Sequence, residues 1–155
     1  MKLAALFILI LLFLSCTKEE TTNYYAYLKN KTTHKVEIRT YSGGVIMSTN
    51  IITLFPDDSL QIANGVDRGL VNNGGFNSPY FSGADSARVI FDDIFPMTHY
   101  FKTAVVLAPK YYLPSSTRNL SNKNSYFYSS RDISKYKRES IYNFEFTEQD
   151  FLDAQ

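Results

Sequence analysis

Lys35-Val36-Glu37-Ile38-Arg39-Thr40-Tyr41 alternates charged with apolar or small side chains along its length. Successive strand residues point to opposite faces, so Val36, Ile38 and Thr40 are predicted to face a core and Lys35, Glu37 and Arg39 to face water. Ser42-Gly43-Gly44 follows, and glycine tolerates the positive φ of a tight hairpin. The chain then returns through Val45–Leu54. Phe55-Pro56-Asp57-Asp58 reads as a turn, with proline fixing φ and aspartate bonding nearby backbone.

The same reasoning extends in both directions. Upstream, Tyr24–Lys29 is a predicted strand with Tyr24, Ala26 and Leu28 on one face, joined to the next by the polar turn Asn30–His34. Downstream come a short strand at Ser59–Ala63 and one at Ser86–Asp92, with Ala87, Val89 and Phe91 on one face. Asp92-Asp93 turns before Pro96, and Thr98–Leu107 leans to strand. Tyr126–Ser130 suits an edge strand, and Ser140–Phe146 places Tyr142, Phe144 and Phe146 together. Asn64–Gly83, rich in glycine and asparagine, and Ala108–Ser125, with Pro109 and Pro114, read as long loops, which are often functional. Thr147-Glu148-Gln149-Asp150 carries a capping-box pattern, predicting a short closing helix with Phe151, Leu152 and Ala154 as its apolar positions. The fold class is therefore all-β and mainly antiparallel, a sandwich or open barrel, with one short C-terminal helix.

Composition limits function. The chain has 155 residues, with 16 Lys and Arg against 15 Asp and Glu. This balance leaves no basic footprint for nucleic acid. Twelve Tyr and twelve Phe without any Trp suit strands, and tyrosine serves half-buried positions. The single cysteine, Cys16, excludes internal disulfides and cysteine metal sites.

The N-terminus has its own grammar. Lys2 precedes twelve apolar residues, Leu3 to Leu14, then Ser15 and Cys16. This is the layout of a secretory signal. As a helix the apolar run reaches about 18 Å, short of a bilayer. Simple cleavage would leave Cys16 as a lone thiol in an exported protein, whereas acylation consumes it. Residues 1–15 are read as a lipoprotein signal peptide, 16–23 as the lipidated cysteine and flexible tether, and 24–155 as a single β-rich domain.

Ser15-Cys16 resembles a bacterial lipobox, in the looser form with Phe13 three residues before the cysteine. Lys18-Glu19-Glu20 resembles the export signal of Bacteroidota surface lipoproteins. With the aromatic strand running into an acidic helix, the chain resembles the small uncharacterised lipoproteins of that phylum. The resemblance implies lipidation at Cys16 and anchoring in the outer membrane, facing outward, with a periplasm-facing domain as the alternative. It also marks Asp58-Ser59-Leu60 and Asp85-Ser86-Ala87 as O-glycosylation sequons, with Ser59 and Ser86 as acceptors. Turn-to-strand junctions explain both tripeptides equally.

Catalytic patterns are sparse. His34 falls in a polar turn and reads as solvated, while His99 lies in an apolar run and reads as a packing residue. No zinc ligand cluster, nucleophile elbow, P-loop or dinucleotide fingerprint occurs, and Asp57-Asp58 and Asp92-Asp93 read as turn caps rather than calcium ligands. No catalytic residue, metal or cofactor is assigned. The expected role is a non-catalytic binding module whose loops take a glycan or protein ligand. A hydrolase with an unrecognised site and a structural envelope component are the alternatives.

Overall fold

The computed structural model describes residues 20–47, 51–68, 78–104 and 107–155. The signal segment, Cys16, Lys18 and Glu19 lie outside the described residues, as do residues 69–77 of the glycine-rich segment.

Ten strands and one helix form two sheets: β1 (Thr21–Asn30), β2 (Val36–Ser42), β3 (Val45–Ile46), β4 (Ile52–Leu54), β5 (Ser59–Arg68), β6 (Ser86–Phe91), β7 (Phe95–Tyr100), β8 (Tyr111–Tyr112), β9 (Phe127–Ser134), β10 (Lys137–Phe146) and α1 (Glu148–Ala154). The four-stranded sheet runs β5-β1-β10-β9, and the six-stranded sheet runs β3-β2-β6-β7-β8, with β4 also on β2. The predicted faces hold. Val36, Ile38 and Thr40 are fully buried, as are Ala26 and Leu28 on β1, Ala87 on β6 and Phe144 on β10. One hydrophobic cluster draws on both sheets, with Phe91 meeting Phe146 edge to face at 6.4 Å between ring centroids. The sheets thus stack as a sandwich, which is the way a sheet with one apolar face escapes water.

Among the described residues six strand pairings are antiparallel and two are parallel, β1 with β10 and β7 with β8. Alternation specifies a face but not a direction, so the parallel pairs were not legible. β1 and β10 are the first and last strands, and parallel neighbours need a long crossover. Here the connection takes in the whole of the six-stranded sheet together with β5 and β9.

Several boundaries differ from the sequence expectation. β1 begins at Thr21 and takes in the last residues of the expected tether. β5 continues to Arg68, into the segment expected to be loop, because Tyr24 lays its ring against Gly65 and fills the space of the missing side chain. β7 spans Phe95–Tyr100 and contains Pro96. The strand expected at Thr98–Leu107 thus lies earlier, whereas the turn before it is where expected, at Asp92 and Asp93, both at positive φ (49° and 63°). β8 pairs only with Thr98 and His99, so Pro96 sits where β7 has an open side and its missing N–H is tolerated. The glycine hairpin is as predicted, with Gly43 and Gly44 at φ 59° and 78°.

The segment expected as a free loop between Ala108 and Ser125 is pinned. Asn119 is fully buried, and its amide donates to the carbonyls of Tyr100, Tyr112 and Leu113. Leu120 beside it is fully buried as well. At the C-terminus, Asp150 reaches back to the Thr147 N–H at 2.8 Å, completing that half of the capping box. Phe151 and Ala154 pack inward as expected, whereas Leu152 is exposed.

Candidate functional site

The inner face of the six-stranded sheet serves the core, and its outer face carries a cleft. Two cross-strand rows supply the floor, all of their members except Arg39 lining it. Tyr41, Ser86 and Tyr100 stand side by side on β2, β6 and β7, and Arg39, Arg88 and Thr98 form the next row. Each is one residue out of phase with a core position, so burying Thr40, Ala87 and His99 turns this set outward. Gly44 of the hairpin and the segment Lys102–Ala104 with Ala108 complete a cavity of about 500 Å³.

The walls are held by hydrogen bonds. The Tyr100 hydroxyl accepts from the Ala108 N–H at 2.9 Å, tying Ala108 to the end of β7. Asp85 N–H donates to the Tyr41 carbonyl (2.9 Å), and Phe101 N–H donates to the Asp85 carbonyl (2.8 Å), extending the ladder past the strand ends. The cleft is therefore formed before any ligand arrives.

Its charges are unbalanced. Arg39 and Arg88 oppose each other on adjacent strands, an arrangement that costs stability through like-charge repulsion. Glu37 pairs with Arg39. Arg88 lies over the Tyr41 ring, 5.3 Å from its centroid, a cation–π contact. Among the described residues neither Arg88 nor Lys102 has an ion-pair partner. The carboxylate in the cleft is engaged elsewhere. Asp85 accepts from the Gly43 N–H (2.6 Å) and from the Ser86 hydroxyl (2.9 Å). The cleft thus brings together two half-buried tyrosines, the largely buried Thr98 and two exposed cations.

The sequence-selected residues fall in different places. Ser86 is in the cleft floor, half-buried. Ser59 is exposed at the start of the edge strand β5. Its neighbour Asp58 accepts from the Phe55 N–H (2.8 Å), so that tripeptide is a turn-to-strand junction. Glu20 is exposed beside the hairpin joining β9 and β10. Reasoning from the sequence placed binding in long loops and passed over Tyr41, Arg88 and Tyr100. The available signal was their phase, aromatic and basic residues at outward positions of three neighbouring strands.

The two histidines do structural work. His34 is not simply solvated. Its Nδ1 lies 2.6 Å from Asp92, its Nε2 lies 3.5 Å from Glu148, and its ring stacks on Phe151 at 3.5 Å. Both ring nitrogens face carboxylates, and the contacts tie the β1–β2 turn to α1. The hydrogen bond from His34 holds the Asp92 carboxyl below its ordinary range. His99 is the packing residue expected. Burial, with the nearby Arg118 charge, lowers its pKa to about 3. Its Nδ1 accepts from the Leu120 N–H at 3.1 Å.

Among the described residues no three or more His, Cys, Asp or Glu side chains are placed so that they could hold a metal ion, and no helix is long and apolar enough to cross a membrane. No protein-family model, curated protein or solved structure matches the chain.

Proposed function

We propose that this chain is a lipid-anchored envelope protein, held to the outer membrane through Cys16 and facing outward, whose sandwich is a non-catalytic binding module. The ligand site is the cleft on the outer face of the six-stranded sheet. The observation that carries this reading is the hollow in which Arg88 and Lys102, among the described residues, stand without carboxylate partners. A pre-formed hollow with convergent polar groups and cations left without carboxylate partners is the kind of place where a ligand supplies the missing charge. Lys18, Glu19 and Glu20 form the export tether in this reading, and a membrane-held domain needs no surface of its own for lipid.

Of the two candidate acceptors, Ser59 is the better placed for a glycan. A glycan on Ser86 would occupy the cleft itself, and the Ser86 hydroxyl is already given to Asp85.

The test joins location to binding. Cells carrying the native chain and a Lys18-Glu19-Glu20→Ala variant are treated with protease, and the native protein alone should be cleaved. A broad saccharide and protein array is then probed with the native chain and with a Tyr41→Ala/Arg88→Ala double variant. A ligand retained by the native chain and lost by the variant supports the cleft. A ligand bound equally by both would move the site elsewhere.

A further inference from the structure

We infer that the cleft takes an acidic saccharide, a sugar ring bearing a carboxylate or sulfate, with Arg88 as the principal contact for the anion. This rests on the cleft being the ligand site and goes further by naming the ligand's chemistry.

Three features define the occupant. The first is charge. Among the described lining residues Arg88 and Lys102 face one carboxylate, Asp85, which accepts from the Gly43 N–H and the Ser86 hydroxyl and keeps its charge, so the lining carries one net positive charge. Arg39 in the adjoining row is neutralised by Glu37, so the excess positive charge is centred on Arg88. A guanidinium presents a planar fork of donors that matches a carboxylate or sulfate.

The second feature is ring chemistry. Tyr41 and Tyr100 stand in one cross-strand row with only Ser86 between them. Aromatic rings set around a small residue offer apolar surface to the C–H face of a sugar while leaving room above it. The Arg88 guanidinium lies over the Tyr41 ring, 5.3 Å from its centroid, so a sugar would stack on what that contact leaves uncovered.

The third feature is hydroxyl partners. Thr98 and Thr103 line the same hollow, and both can donate to or accept from sugar hydroxyls. A bare inorganic anion would use the cations and leave the two rings idle, and a neutral sugar would leave Arg88 unpaired. A sugar with an attached anion uses all three. The volume of about 500 Å³ falls within the ordinary range for small-ligand sites.

The experiment uses the full chain purified in a neutral detergent and measures binding to immobilised polygalacturonate, chondroitin sulfate and dextran. The acidic polymers should bind and dextran should not. Binding should weaken about tenfold as sodium chloride rises from about 50 to about 500 mM. Arg88→Ala should lose at least about tenfold in affinity, Arg88→Lys less, and Lys102→Ala a few-fold, with thermal melts confirming that each variant folds. Binding of polygalacturonate alone would identify the anion as carboxylate, and binding of chondroitin sulfate alone would identify it as sulfate. Dextran bound as well as the acidic polymers, and lost on Tyr41→Ala, would overturn the acidic ligand while leaving the cleft as the site. Failure of both acidic polymers to bind, or binding unchanged in Arg88→Ala, would overturn the inference outright.

Discussion

Arg118 grips the carboxylate of Asp150 with two N–H groups, Nε to Oδ1 at 2.9 Å and the second to Oδ2. The same guanidinium donates to the Glu145 carbonyl at 2.8 Å and lies over the Phe144 ring at 4.9 Å. Asp150 is only 5% exposed and also accepts from the Thr147 N–H. One ion pair thus joins the pinned Ala108–Ser125 segment, the end of β10 and the start of α1. Removing one partner strands a buried charge, so Arg118→Ala is expected to cost about 3–5 kcal/mol. Arg118→Met/Asp150→Leu should cost less than the sum of the single changes, as a double-mutant cycle in urea would show.

Acid sensitivity has two separable sources. Burial and the Arg118 charge lower the pKa of His99 to about 3 in the folded protein. The unfolded chain titrates near about 6.5 and so binds the extra proton between the two values. Stability from this residue is full above about pH 6.5 and is lost as pH falls toward about 3, by roughly 3 kcal/mol at about pH 4. His99→Asn keeps an acceptor for the Leu120 N–H and does not titrate. Its urea midpoint should fall less between neutral and acid conditions than that of the native chain.

Asp92 acts lower on the scale. Its carboxyl is held below the ordinary value of 3.8, first by the hydrogen bond from His34 and then by the Lys35 N–H. A depressed carboxylate stabilises above its unfolded pKa and loses that contribution as pH falls through its folded pKa. Asp92→Asn should therefore be less stable than the native chain at neutral pH. The gap should begin to close below about pH 4, where the unfolded chain takes up its proton first, and vanish as pH falls through the lower folded pKa. Thermal melts across that range measure it.

Thr40 is a core position that carries a hydroxyl. It is fully buried, and among the described residues its Oγ1 has no hydrogen-bond partner. A buried unpaired hydroxyl forfeits its hydration, so Thr40→Val should stabilise the protein by about 1 kcal/mol in chemical unfolding.

The inward faces were legible because burial imposes a period of two. Val36 and Ile38, and likewise Phe144 and Phe146, obey it and lie where expected. The capping-box half at Asp150 was legible for a similar reason, since its spacing is local. What alternation does not encode is direction and partnership. The parallel pairing of β1 with β10 joins residues from opposite ends of the chain. The three buried-amide bonds of Asn119 likewise turn an apparent loop into part of the core. The cleft was hidden for the same reason. Tyr41, Arg88 and Tyr100 are distant in sequence and become neighbours only through strand order.

The central claim is that Arg88 anchors a ligand in the cleft of the six-stranded sheet. Arginine modification with phenylglyoxal, read by mass spectrometry with and without a saturating galacturonate oligomer, addresses it most directly. The account predicts that Arg88 is modified in the free protein and protected by the ligand, while the buried-pair residue Arg118 reacts poorly in both. Equal modification of Arg88 with and without ligand, or protection appearing at other arginines instead, would contradict it.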